Sequence, residues 1–139
     1  MYTPCYVSYL EDDKVTKSPI RLFHGIADDW VPIGPCREYV DRLHKAGADV
    51  SLAEYPDAVH AYDNPALTQP VKLPQAQTAR HCRMREVAGG DIVNAATGKR
   101  FDYSDPCIEK GTQVVYNAAA HQATVKAVKE FLATALAQR

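Results

Sequence analysis

The chain has 139 residues, 46% hydrophobic and 24% charged, with 16 basic against 17 acidic side chains and a formal charge of -1. That length and composition suit one globular domain spanning 1–139, and the balanced charge gives no pull toward nucleic acid or an anionic membrane. No apolar run approaches the ~20 residues of a membrane-spanning helix, and the start, Met1-Tyr2-Thr3-Pro4-Cys5-Tyr6, lacks the basic-then-apolar order of a signal peptide.

No internal repeat or low-complexity tract is present. Residues 1–18 read as an irregular leading segment with Pro4 and a charged patch, Glu11-Asp12-Asp13-Lys14. Pro19 to His24, mostly apolar and closed by Gly25, suits a buried strand. Residues 35–46 predict a helix with Pro35 in its first turn, Gly47 as its stop, and Cys36, Tyr39, Val40 and Leu43 as its apolar stripe. Asp49 to Tyr55 alternates as a second strand, halted at Pro56. Strand, helix and strand with short connections form the βαβ pattern of a parallel sheet, so the fold class is α/β. The stretch 61–112 is less regular. Within it, Cys82 to Val87 and Asp91 to Ala95, joined through Gly89-Gly90, look like a hairpin. From Asn117, an acceptable N-cap, to Leu136 a final helix is expected, with Val125, Val128, Leu132 and Leu136 as its apolar face and Lys126 and Lys129 in water.

The chemistry-bearing residues follow the two predicted strands. The first ends in His24-Gly25-Ile26-Ala27-Asp28-Asp29-Trp30-Val31-Pro32, the second in Tyr55-Pro56-Asp57-Ala58-Val59-His60-Ala61-Tyr62-Asp63. Neighbouring parallel strands bring their carboxyl ends to one edge, so an acid after one and a histidine after the next can meet in space. A hydroxyl or thiol nucleophile needs a base that titrates near neutrality, and a carboxylate on the other ring nitrogen fixes the tautomer of that base. In chain order the arrangement runs nucleophile, acid, histidine.

These residues resemble the dienelactone hydrolase family of α/β-hydrolases. The resemblance rests on His-Gly-x-x-Asp-x-x-Val-Pro at His24 to Pro32, on the helix from Cys36 to Val40, on Ala46 to Val50, and on Tyr55-Pro56-x-Ala58-x-His60-x-Tyr62-Asp63. It is dense over 19–65 and weaker beyond, through Asn94 to Gly98, Cys107 and Tyr116-Asn117. It implies the C-terminal portion of an α/β-hydrolase fold: parallel strands with a crossover helix, a hairpin excursion and a long C-terminal helix. It also implies Asp28 as the triad acid and His60 as the triad base. Asp29 competes for the acid role; Asp28 is preferred because it stands three residues before Val31-Pro32. By the same resemblance His24 packs and supports backbone rather than reacting.

The departure is the nucleophile. No Gly-x-Ser/Cys-x-Gly elbow occurs in the 139 residues. The chain is therefore expected to be a portion of a longer product, because an edge piece of parallel sheet cannot cover both its faces; the alternative is a genuine short protein. The expected function is hydrolysis of an ester or lactone, with Asp28 and His60 serving a nucleophile from outside this sequence and no metal or organic cofactor. The alternative is a catalytically inactive module that self-associates or pairs with the N-terminal half of the same fold. Asp28 alone would also suit a plain turn, and His60 alone a satisfied loop histidine. His44 is expected to be solvated, while His81 and His121 lack an acid at readable spacing. Trp30 and Tyr62 either line an acyl pocket or pack the loops.

Cys5, Cys36, Cys82 and Cys107 include no CxxC pair, which argues against a zinc knuckle. They are read either as idle thiols, suiting a cytoplasmic chain, or as two disulfides, suiting a periplasmic or secreted one. Cys36 opens a helix, and with Cys5 it is weighed as a stand-in nucleophile. Lacking an elbow or oxyanion donors, the two are preferred as a Cys5–Cys36 disulfide, leaving Cys82–Cys107 to staple the hairpin region.

Overall fold

The computed structural model describes residues 5–137, so the readings of Met1 to Pro4 lie outside the described residues. The elements are β1 (Val7–Ser8), β2 (Ile20–Gly25), α1 (Gly34–Lys45), β3 (Val50–Tyr55), β4 (Val71–Thr78), β5 (Met84–Glu86), β6 (Ile92–Asn94), β7 (Glu109–Val114) and α2 (Ala118–Ala137). Helix and strand are mixed, and the strands form three small sheets: β1-β5-β6, β2-β3 and β4-β7.

The βαβ unit lies where the sequence places it. β2 and β3 are parallel, in register from Ile20 opposite Val50 to Gly25 opposite Tyr55, so both strands end level. α1 crosses between them and buries Cys36, Val40 and Leu43. Val40, Leu43 and Val50 form a core against which Val15, Ile20, Leu22, Tyr39 and Leu52 pack. Pro35 sits in the first turn of α1, which has no side-chain cap. Arg42, His44 and Lys45 in its last turn complement the negative end of the helix dipole. Gly47, at φ 82°, turns the chain out of the helix as only glycine does freely.

Between β3 and α2 the chain builds an arm that the sequence does not announce. β4 and β7 pair antiparallel, with a register shift between Leu73 and Gln77. Pro74 falls in that shift and cannot donate to a ladder. β4 buries only Thr78, so no alternation marks it. Between β4 and β7 lies the expected hairpin, β5 against β6, with β1 added in parallel to β5. Its small core is Ala79, Cys82 and Met84, closed by a Cys82–Cys107 disulfide. Cys5 and Cys36 form the second disulfide, tying the leading segment to the start of α1. Two disulfides are compatible with an oxidising compartment. Among the described residues, no helix is long and apolar enough to cross a membrane.

Asn117 caps α2, its Oδ1 accepting from the Ala120 backbone N–H at 3.0 Å. The buried face of the helix is not the expected apolar one. Val125, Leu132 and Leu136 are exposed, and Val128 alone of the expected four is half-buried. The helix turns Ala120, Thr124, Ala127 and Phe131 inward instead, with the Arg21 guanidinium 5.1 Å from the Phe131 ring. Tyr62 meets that inward side: its hydroxyl bonds Thr124 at 3.0 Å, and its ring packs with Ala58 and Ala120.

One backbone contact locks the ends of the parallel pair together. A Cβ on Gly25 would lie 2.1 Å from the Ala58 carbonyl oxygen, inside the loop after β3. Gly25→Ala is therefore expected to cost about 2 kcal/mol or more in urea unfolding, since backbone rather than a flexible side chain must move. Gly34→Ala, where a Cβ meets nothing within 4 Å, serves as the control and is expected to change stability by no more than about 0.5 kcal/mol.

Candidate active site at the ends of the parallel strands

The loops after β2 and β3 are stitched to each other before any side chain is considered. Ile26 N–H donates to Tyr55 O at 2.9 Å, and Ala27 N–H donates to Ala58 O at 3.2 Å. Asp28 stands at the head of the first loop with its side chain 1% exposed. Its Oδ1 accepts from Trp30 N–H at 2.9 Å and from Val31 N–H at 2.8 Å, an Asx-type turn that holds the loop on its own carboxylate. Its Oδ2 is thereby aimed at the second loop, where His60 Nδ1 lies 3.0 Å away. The two residues read from the sequence as acid and base are thus brought together.

The bond has a chemical direction. A carboxylate only accepts, so the imidazole donates its Nδ1–H, and in the neutral ring Nε2 then carries the lone pair. That is the tautomer a general base needs. His60 itself is held on two sides. Its backbone bridges to Val114 at the end of β7, and its ring lies 4.8 Å from the Trp30 ring, tilted by 41°. The next residue, Ala61, has φ 63°. This left-handed backbone costs a residue with a Cβ about 1 kcal/mol. Two anchors hold the turn: Asn64 N–H donates to Ala61 O at 3.0 Å, and Asn117 N–H donates to Tyr62 O at 2.9 Å.

The competing residues take other places. Asp29 faces the arm, its Oδ1 accepting from Gln113 N–H at 3.2 Å. His24 is buried, with Nδ1 donating to Gly25 O at 2.8 Å, a packing role. His44 stays on the exposed side of α1 but bonds Val50 O through Nε2. His81 does have an acid neighbour, Glu109 at 3.6 Å, drawn from the far strand of the arm. His121 meets the Tyr116 hydroxyl at 3.2 Å. All four cysteines are disulfide-bonded, so neither Cys5 nor Cys36 offers a thiolate. Trp30 and Tyr62 pack the loops: Trp30 lies against His60, and Tyr62, 4% exposed, sits in the core. Among the described residues, no group of three His, Cys, Asp or Glu side chains could hold a metal ion.

Residues that sequence reasoning passed over complete the surroundings. Thr78 Oγ1 donates to Trp30 O at 2.7 Å, Trp30 Nε1 donates to Gln77 O at 3.1 Å, and Arg80 Nη1 donates to Asp29 O at 2.8 Å. Their acceptors are main-chain carbonyls, which leave no mark in a residue pattern. The chain matches no known protein family, no curated protein and no solved structure.

The two oxygens of Asp28 can be separated by substitution. Asp28→Ala strips the acceptor from the Trp30 and Val31 N–H groups, and is expected to cost about 2 kcal/mol in urea unfolding. Asp28→Asn keeps a carbonyl oxygen for them and should cost less than half as much, although its amide cannot accept the imidazole proton. Equal losses in the two variants would contradict this division of labour.

Proposed function

We propose that this chain contributes the acid and the base of a nucleophile–histidine–acid triad that hydrolyses an ester or lactone. Asp28 is the acid and His60 the base. The fold is read as the C-terminal portion of an α/β-hydrolase of the dienelactone hydrolase type. The observation that carries the reading is the 3.0 Å contact between Asp28 Oδ2 and His60 Nδ1 at the level ends of two parallel strands.

The nucleophile, a serine or cysteine, comes from outside these 139 residues. His60 Nε2 takes its proton as it attacks the carbonyl carbon, and Asp28 stabilises the imidazolium that forms. The imidazolium then protonates the departing alkoxide, leaving an acyl-enzyme. Water then attacks the acyl carbon as Nε2 takes its proton, and the imidazolium returns that proton to the nucleophile as the bond to it breaks and the acid leaves. For a lactone, both product groups remain in one molecule. The reaction needs no metal or organic cofactor.

A second reading is an inactive module that binds a partner, and it shares one observation with the first. The accessible surface is 8706 Å², against about 7,200 Å² expected for a compact chain of this mass. Val125, Leu132 and Leu136 on α2 contribute to that excess.

Turnover of p-nitrophenyl acetate by the assembly carrying the nucleophile discriminates the two. His60→Ala is expected to lower kcat by about 10³-fold or more, and Asp28→Asn by about 10³ to 10⁴-fold. Unchanged turnover in His60→Ala would refute the hydrolase reading. The 139-residue chain alone should show no acyl burst; a stable inert oligomer in solution, joined by no active assembly, would favour the binding module.

A further inference from the structure

We infer that Arg80 is a positioning residue for the acid–base pair, and that the β4–β7 arm is the brace through which it acts. The inference rests on the hydrolase reading for its purpose, but its structural content is independent of any nucleophile.

The loop from Ile26 to Ile33 is long and irregular, and its own hydrogen bonds account for only one side of it. Asp28 Oδ1 collects the inward N–H groups of Trp30 and Val31. The carbonyls of Asp29 and Trp30 face the opposite way, toward the arm. Both are met there by side chains two positions apart, Arg80 for Asp29 and Thr78 for Trp30. Thr78, 2% exposed, uses its hydroxyl fully: it donates to Trp30 O and accepts from Arg80 N–H at 3.1 Å. Trp30 Nε1 and the Asp29 carboxylate complete four hydrogen bonds between loop and arm.

The Arg80 guanidinium is what makes the arm rigid at this point. Nη1 holds Asp29 O, Nη2 holds Gly111 O at 2.7 Å, and Nε holds the Glu109 carboxylate at 2.9 Å. One planar group therefore joins the acid loop to both strands of the arm, since Arg80 directly follows β4 while Glu109 and Gly111 lie on β7. β7 in turn reaches the other loop, through the bridge between Val114 and His60. Acid and base are thus referenced to the same strand. The Cys82–Cys107 disulfide closes the arm directly beyond these contacts. A lysine cannot replace this group. Its ammonium is a point charge and lacks the fork that spans three fixed acceptors.

Positioning predicts an effect on the Asp28–His60 bond that a general loss of stability does not. In the 139-residue chain, exchange of the His60 Nδ1 proton with water is measured by NMR. Arg80→Ala is expected to speed it by about 10-fold or more, with the His24 and His44 resonances unmoved and Arg80→Lys recovering less than half of the effect. Thr78→Val, which removes one loop contact at constant volume, should act in the same direction and carries the test if Arg80→Ala does not fold. In the active assembly Arg80→Ala should lower kcat by about 10 to 100-fold with KM little changed. Unaltered exchange in both variants, or full rescue by lysine, overturns the brace while leaving the triad reading intact. Absence of a protected Nδ1 proton in the unsubstituted chain removes the pairing itself, and the brace with it.

Discussion

The Asp28 carboxylate has two oxygens, and the structure gives them different tasks. One gathers the N–H groups of its own loop, and the other meets an imidazole from the next strand. Neither task is secure without the other. A carboxylate that closed only its own turn would be an ordinary loop-former. One that bonded only His60 would swing with its loop, and a buried acceptor free to swing does not fix a tautomer. Because Oδ1 is committed to main chain, Oδ2 has a direction, and the imidazole inherits it.

That direction depends on how the two loops arrive. β2 and β3 are hydrogen-bonded in register to their last residues, so their continuations start side by side. Gly25 then lets the backbone of the second loop approach within a distance that no Cβ allows. The hydrophobic contribution is on the other side of the pair, where α1 buries Val40 and Leu43 against Ile20, Leu22 and Val50. The core fixes the strands, the strands fix the loop origins, and the Gly25–Ala58 approach fixes the spacing of the loops. The arm supplies a third point of support from outside the sheet.

Much of this was legible in the residues. The βαβ unit follows from an apolar run, a three-and-four stripe and an alternating segment, all signals of burial on one face. The hairpin follows from Gly89 and Gly90, whose φ values of 98° and 85° show why glycines stand there. That an acid after β2 can meet a histidine after β3 follows from strand ends that share an edge, whereas the choice of Asp28 over Asp29 rests on the family resemblance. The pairing of β4 with β7 was not legible, because β4 is exposed on most of its length and carries no alternation, and Pro74 speaks against a strand there. The buried face of α2 differs from its most apolar face for a related reason. Leu132 and Leu136 are more apolar than Thr124 and Ala127, but the inward side carries the Thr124 hydroxyl bonded to Tyr62 and Ala120 packed with Ala58 and Tyr62. Arg80 was invisible because its acceptors are mostly main-chain atoms.

Asp28 sets the protonation pattern of His60, and nitrogen-15 NMR of the His60 ring in the neutral state reads that pattern. The proton is expected on Nδ1 with a bare Nε2, and the preference is expected to be lost in Asp28→Asn. A ring protonated at Nε2, or a tautomer indifferent to the substitution, would contradict it.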